Sequence, residues 1–272
     1  MVQRGESPHG WWECAHGEPS AQLRPLIRGG GYGGFSQAMD APVRRIEMPH
    51  AGIVLIVGFG PSIDVDGAAH TSFVAGLYDA PVVVTDDGRQ SCLEAKLTPL
   101  GARMLLGLPM RELAGRTVAL DDVLGGDLPA ELAELPDWPA RFAAFDAFLA
   151  RRLRDAVAPR PDVAYAWSRL EHSHGGVAIG ALCRELGCSG RHLSARFGEE
   201  VGMAPKAFSR VLRFERAAAL LASGIGPAEV SATCGFADQP HLGREFRALA
   251  GRPPAKFAAL VTNVQDGLGI AA

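Results

Sequence analysis

His192-Leu193-Ser194-Ala195-Arg196-Phe197 and His241-Leu242-Gly243-Arg244-Glu245-Phe246 are two writings of one pattern, 49 residues apart. Downstream, Gly202, Pro205 and Phe208 return at the same offset as Gly251, Pro254 and Phe257. Upstream the copies fall one residue out of step, because Leu186-Gly187 corresponds to Cys234-Gly235. The second copy therefore carries one extra residue in the turn before its helix. Two copies are too few for a solenoid, so the repeat defines a pair of small units joined by a connector.

Each copy reads as helix, tight turn, helix. In the first, Ile179, Leu182, Cys183 and Leu186 are spaced for one helical face. Gly187 can take a positive φ and end that helix, and Ser189 can cap the next. Leu193 and Phe197 lie four apart and share the face that packs backwards. In the second copy Pro227 starts a helix, Val230 and Cys234 point inward, Gly235 ends it, Asp238 caps, and Leu242, Phe246 and Leu249 pack. A Gly-containing turn between two amphipathic helices is the helix-turn-helix arrangement.

Cys234-Gly235-Phe236-Ala237-Asp238-Gln239-Pro240-His241-Leu242-Gly243-Arg244-Glu245-Phe246, followed by Gly251-Arg252-Pro253-Pro254, resembles the signature of the AraC/XylS-type transcription regulators. Leu212-Arg213-Phe214-Glu215-Arg216-Ala217 with Leu220-Leu221 is similar to that family's linking helix. The resemblance covers about the last third of the chain. It implies an all-α double helix-turn-helix domain that binds double-stranded DNA with one recognition helix per copy. The expected outputs are those of a one-component regulator: a homodimer, a small-molecule effector and contact with RNA polymerase.

Turning each second helix by about 100° per residue from its buried leucine decides which side chains face outward. Arg191, Ser194 and Ala195 point away in the first copy, with Arg196 on the flank; Pro240, Gly243, Arg244 and Arg247 point away in the second. The expected DNA-facing set is Arg191, Ser194 and Ala195 at one major groove and Gln239, Pro240, His241 and Arg244 at the next. Arg213 and Arg216 on the linking helix are expected on phosphates. From Pro205 to Leu221 that helix spans about 25 Å at 1.5 Å per residue, compatible with grooves about 34 Å apart. Three positions depart from the family: Ala195 stands where a basic or polar reader is common, and Pro240 and Gly243 make the second outward face small.

Charge supports the division. The 272-residue chain has a net charge of −3, but Trp167–Leu260 holds 12 Lys+Arg against 8 Asp+Glu, leaving 15 against 22 elsewhere. A basic unit joined to an acidic one is what a DNA-binding half and a separate partner half would show. The expected units are residues 1–158, for effector binding or dimerisation, and 163–262, for DNA. Ala158-Pro159-Arg160-Pro161 is the linker between them.

The first half reads as α+β, a small sheet or barrel with helices. Ile53-Val54-Leu55-Ile56-Val57, Val82-Val83-Val84-Thr85 and Cys92-Leu93-Glu94-Ala95-Lys96-Leu97 are strand runs bounded by turn residues. The family resemblance implies a cupin-like barrel here. No His-x-His cluster accompanies it; His50 and His70 are isolated and read as packing or surface. Met1 to Pro19 has no periodicity and reads as a loose lead-in. His9, Cys14 and His16 within it match no closed zinc spacing. The run Arg28-Gly29-Gly30-Gly31-Tyr32-Gly33-Gly34-Phe35 lacks the Lys-Ser/Thr ending of a phosphate loop and reads as a flexible loop or bulged strand. Pro99 starts a helix, Leu108–Leu113 reads as a second short one, and Asp137 caps a longer one. The long helix bears Phe142, Phe145, Phe148, Leu149 and Leu153, a face for packing on the sheet or for dimerisation.

Five cysteines without framework spacing read as reduced and structural. No apolar run is long enough for a membrane span, and no signal peptide is evident, so the cytoplasm is the expected location. No cofactor, metal site or catalytic residue is expected. Gly-x-Ser-x-Gly is absent and no paired carboxylates stand out, which argues against the alternative of an enzyme with a DNA-binding tail. An effector-free architectural DNA-binding protein is the other alternative.

Overall fold

A computed structural model describes residues 2–257. The first part is built from eleven strands. These are β1 (Val2–Ser7), β2 (Gly10–Gly17), β3 (Ile27–Met39), β4 (Val43–Glu47), β5 (Ile53–Gly58), β6 (Ile63–Val65), β7 (Ala68–His70), β8 (Phe73–Ala75), β9 (Val82–Asp86), β10 (Arg89–Leu97) and β11 (Thr117–Ala119). They form a seven-stranded sheet in the order β1-β2-β3-β10-β5-β8-β11 and a four-stranded sheet in the order β4-β9-β6-β7. Every pairing is antiparallel. Four helices accompany them: α1 (Pro99–Leu106), α2 (Leu120–Leu124), α3 (Leu128–Ala133) and α4 (Trp138–Arg154).

The two-residue period of the strands splits the large sheet into two faces. On β5 and β10, Ile53, Leu55, Val57, Leu93, Ala95 and Leu97 join the core under the helices. The intervening Ile56 and Cys92 face the other way and pack with Ile63, Val65, Val82 and Val84 of the small sheet. The two sheets thus close on each other as a barrel, while α1 and α4 cover the outer face.

The loose lead-in expected over Met1 to Pro19 is not found in its described residues. Residues 2–17 form a hairpin, paired from Val2↔Ala15 to Ser7↔Gly10 and continued by Gly10↔Met39 onto β3. β1 is exposed on both faces, so no apolar alternation marks it, and its place is set by backbone pairing. The glycine run is a bulged strand: Tyr32 pairs with Ala95 but Ile27 with Leu97, and Gly29 and Gly30 take φ of 73° and 83° between them. Gly34 allows the Trp138 ring of α4 to lie against the strand, where a Cβ would collide with it.

Asp137 caps α4, its Oδ1 accepting from Ala140 N–H at 2.9 Å. Most of the aromatic face of this helix is used up inside the fold, with Phe148 and Leu153 half-buried. Phe145 and Leu149 are fully buried, and Phe145 meets Tyr32 edge-on at 5.2 Å. Burial of one such side chain contributes about 1.5–3 kcal/mol. Of the two readings for this face, packing on the sheet is the one found. Leu108–Leu113 shortens to a single 3₁₀ turn, Met110–Glu112.

The second part is helical: α5 (Pro161–His172), α6 (Ile179–Glu185), α7 (Gly190–Val201), α8 (Pro205–Ala222), α9 (Pro227–Thr233) and α10 (Gln239–Ala250). The turn glycines Gly187 and Gly235 both take positive φ, 62° and 69°. From Gly187 to the cap Ser189 is one residue shorter than from Gly235 to the cap Asp238, which locates the insertion seen in the repeat. α8 serves both motifs. Its Phe208 lies 5.8 Å from Phe197 of α7, and its Phe214 lies 4.9 Å from Phe246 of α10.

The two motifs differ in what lies behind them. The core of the first runs on into that of the sheet and helices of the first part, as far as Leu212. The second has its own core, from Phe214 to Phe257. Gly202 marks the junction: its φ is 91°, and a Cβ there would stand 2.9 Å from the Met110 carbonyl oxygen. No side chain fits that approach.

Candidate nucleic-acid interface

α7 and α10 are built to the same plan. Ser189 Oγ accepts from His192 N–H at 3.2 Å, and Asp238 Oδ1 accepts from His241 N–H at 2.6 Å. Both helices end on left-handed glycines, Gly202 and Gly251. Leu193 and Phe197 in one, and Leu242 and Phe246 in the other, are buried. Helix geometry then sets the opposite faces outward.

On α7, Arg191 and Ala195 are exposed and Ser194 is half-buried. On α10, Gln239, Pro240 and Arg244 are exposed. Among the described residues these two helix faces are left largely uncovered, with only Ser194 of this set half-buried. Arg196, on the flank, is held by Asp162 of α5 at 2.8 Å. Arg247 is exposed and bends back to the Gly243 carbonyl at 3.4 Å.

His241 is engaged locally. Its Nδ1 accepts from Ala237 N–H at 3.2 Å, and its ring stands edge-on to Phe236 at 5.5 Å. It fastens the turn that aims α10. Arg213 is half-buried beneath the same residue, its guanidinium 5.8 Å from the Phe236 ring, and its Nε has no partner among the described residues. Arg216 is half-buried on the same helix.

Sequence reasoning missed the side chains that hold the two helices in place. Arg210 of α8 grips Glu245 of α10 at 2.5 Å. Arg160 reaches Glu199 at 3.0 Å and the buried Glu200 at 3.4 Å, fixing the far end of α7 to the segment before α5. Arg28 of β3 reaches Glu171 of α5 at 2.6 Å and Glu215 of α8 at 3.1 Å. Glu215 also accepts from Ala51 N–H at 3.1 Å. None of these pairs has a sequence spacing that announces it.

The barrel encloses a cavity of about 870 Å³ between its sheets. Its apolar wall includes Phe35, Ile56, Ile63, Phe73, Val82 and Val84. His50, read from sequence as packing or surface, lines one end. His70 lies beside Phe73, ring centroids 5.7 Å apart.

A family model described as a helix-turn-helix domain matches residues 182–259. No curated protein matches the chain. Among solved structures, the C-terminal domain of AraT, a response regulator from Geobacillus stearothermophilus, is 21% identical, covers 38% of this chain and 88% of its own, and has a TM-score of 0.36. ToxT from Vibrio cholerae is 10% identical over 82% of this chain and 99% of its own, with a TM-score of 0.45. The xylose-binding transcription activator XylR is 19% identical over 47% and 43%, with a TM-score of 0.33. Likenesses of this size carry no argument; the family match and the doubled motif do.

The C-terminal part is a helix-turn-helix domain, the DNA-binding unit of transcription regulators. Its two motifs in tandem on one linking helix, with the Cys234–Phe246 signature in the second, are similar to the AraC-type arrangement. Among the described residues no helix is long and apolar enough to cross a membrane.

Proposed function

We propose that the protein is a sequence-specific regulator whose α7 and α10 read successive major grooves of double-stranded DNA, under control of a small effector held in the barrel. The observation that carries the first half is the matched pair of helices, each capped at its N-terminus and each bare on the face opposite its buried leucine and phenylalanine. α8, 18 residues long, spans about 27 Å, a length compatible with two reading helices in grooves about 34 Å apart. Arg191 and Arg244 act as base readers in this account, Ser194, Ala195, Gln239 and His241 lie at the grooves beside them, and the small Pro240 and Gly243 let the backbone approach. Arg213 and Arg216 add charge beside the phosphates.

The barrel cavity supports the effector half, with the unit 1–158 as sensor and 163–262 as reader. The Arg28 link between β3 and α8 gives occupancy a route to the reader. A homodimer through the first unit completes the proposal; β1 at the outer edge of the large sheet and the exposed Trp11 support it. Selection of binding sites from random duplexes tests the reading. Two recognised half-sites one helical turn apart are expected, and uniform binding to all sequences would sink it in favour of an architectural role.

A further inference from the structure

The barrel cavity identifies the chemistry of its ligand by how its charges are already used. Two cations line it, Arg45 and Lys96. Arg45 is clasped by Glu47 at 3.0 Å and by the fully buried carboxylate of Asp86 at 2.9 Å. Lys96 is paired with Glu94 at 3.4 Å. Arg28, beyond the His50 end, is taken by Glu171 and Glu215. An anionic ligand would have to displace one of these carboxylates. A cationic one finds Asp86 shielded by Arg45, Gln37 and Gly88 N–H, and Glu47 and Glu94 already paired with Arg45 and Lys96.

One polar group does offer itself. Nδ1 of His50 accepts from Gly52 N–H at 3.1 Å, which fixes the tautomer and leaves the proton on Nε2. Nε2 has no partner among the described residues. Burial first, and then the nearby Lys96 and Arg28, hold this imidazole down at about 4, so it is neutral at physiological pH. The remaining wall is mainly aliphatic and aromatic, and its other polar side chains are engaged: Tyr78 with Thr117 at 2.8 Å, Gln37 with Asp86 at 3.4 Å and Gln90 with Cys92 at 3.6 Å. Burying a charge against it without a partner is costly, whereas an uncharged acceptor loses little.

From this geometry we infer that the cavity binds an uncharged, predominantly apolar molecule carrying one hydrogen-bond acceptor, which His50 Nε2–H meets. The inference rests on the cavity being the effector site and adds the class of ligand.

The test uses the full chain, the uncharged dye Nile red as a fluorescent reporter, and four competitors of one shape. These are 2-acetylnaphthalene, 2-ethylnaphthalene, 2-naphthoate and 1-(2-naphthyl)ethylammonium. Nile red should brighten, and an Ile56→Trp variant that narrows the cavity should abolish the gain while keeping its circular dichroism. Acetylnaphthalene should compete best, with both ions weaker by about tenfold or more. In a His50→Phe variant the advantage of acetyl over ethyl should vanish while ethyl still competes, a change of ratio that a general folding defect would not produce. Tighter competition by either ion, or a ratio unmoved by His50→Phe, overturns the ligand class and leaves the effector site standing. Dye binding that is absent, or that ignores Ile56→Trp, removes the site itself and the class with it.

Discussion

The guanidinium of Arg28 donates to Glu215 Oε2 at 3.1 Å, and so ties a strand of the barrel to the helix that carries both DNA-reading motifs. The same guanidinium donates to Glu171 at 2.6 Å. Both ends of the contact are about three-quarters buried, so it is shielded from salt more than a surface pair would be.

Removing Arg28 should cost more at neutral than at mildly acidic pH. Glu171 has its carboxyl pushed above the usual range, by burial first; Arg28 opposes this and Glu215 adds to it. A carboxyl raised in the folded state favours the fold at pH below its unfolded value, and that contribution is lost as pH rises through the folded value. Without Arg28 the upward push grows. Urea unfolding of Arg28→Met should therefore show a deficit of about 1–2 kcal/mol at pH 7 that shrinks at pH 5. An equal deficit at both would mean that the guanidinium is not holding these carboxylates.

His50 gives the opposite slope. Its folded pKa, about 4, lies below the ordinary 6.5. Stability from the neutral ring is fully present above the unfolded value and is lost as pH falls toward the folded one. Wild-type protein should lose stability between pH 6.5 and 4, by at most about 3 kcal/mol from this residue, and His50→Gln should lose less over the same range. Proton NMR of the imidazole checks it directly. A ring that titrates near 6.5 would show that the barrel end is open to water.

The doubled motif was legible because helix turns, caps and left-handed glycines are local and leave fixed spacings. The turn glycines Gly187 and Gly235 and the caps Ser189 and Asp238 could all be placed from sequence, as could the exposure of Arg191, Ala195, Pro240 and Arg244. Strands β5, β9 and β10 were legible from their apolar runs. The hairpin of β1 and β2 was not, because its residues are mostly exposed and its definition comes from partners on β3. The cavity and the Arg28, Arg160 and Arg210 ion pairs join residues distant in sequence, and only the pairing of sheets and helices brings them together. His50 looked isolated for that reason.

The two N-caps allow the motifs to be weakened separately. Asp238→Ala removes the acceptor for His241 N–H and should cost about 1 kcal/mol, as should Ser189→Ala for His192. The second motif has a small core of its own, whereas the first shares one with the barrel. Hydrogen exchange should therefore rise over α9 and α10 in Asp238→Ala, and change less over α6 and α7 in Ser189→Ala. Equal responses would mean that the two cores open as one.

The arginines separate base reading from phosphate holding. Arg244 is exposed on α10, away from Leu242 and Phe246, and can span guanine O6 and N7, worth roughly 1–3 kcal/mol of discrimination. Arg244→Ala should flatten base preference at one or two positions and leave binding to random DNA nearly intact. Arg191→Ala should do the same about one helical turn away. Ala195 takes a possible reader from α7, so the Arg191 half-site should be the less specific. Arg213 differs, because its guanidinium lies over Phe236 and its substitution also disturbs the turn that aims α10. Arg213→Gln keeps bulk and hydrogen bonding but drops the charge. It should weaken specific and random DNA alike and lower the salt slope by about 0.9, one phosphate's worth. Site selection with each variant, followed by salt titration on the selected and a scrambled duplex, distinguishes the roles. If Arg244→Ala and Arg213→Gln lose affinity equally on every sequence, α10 does not read bases.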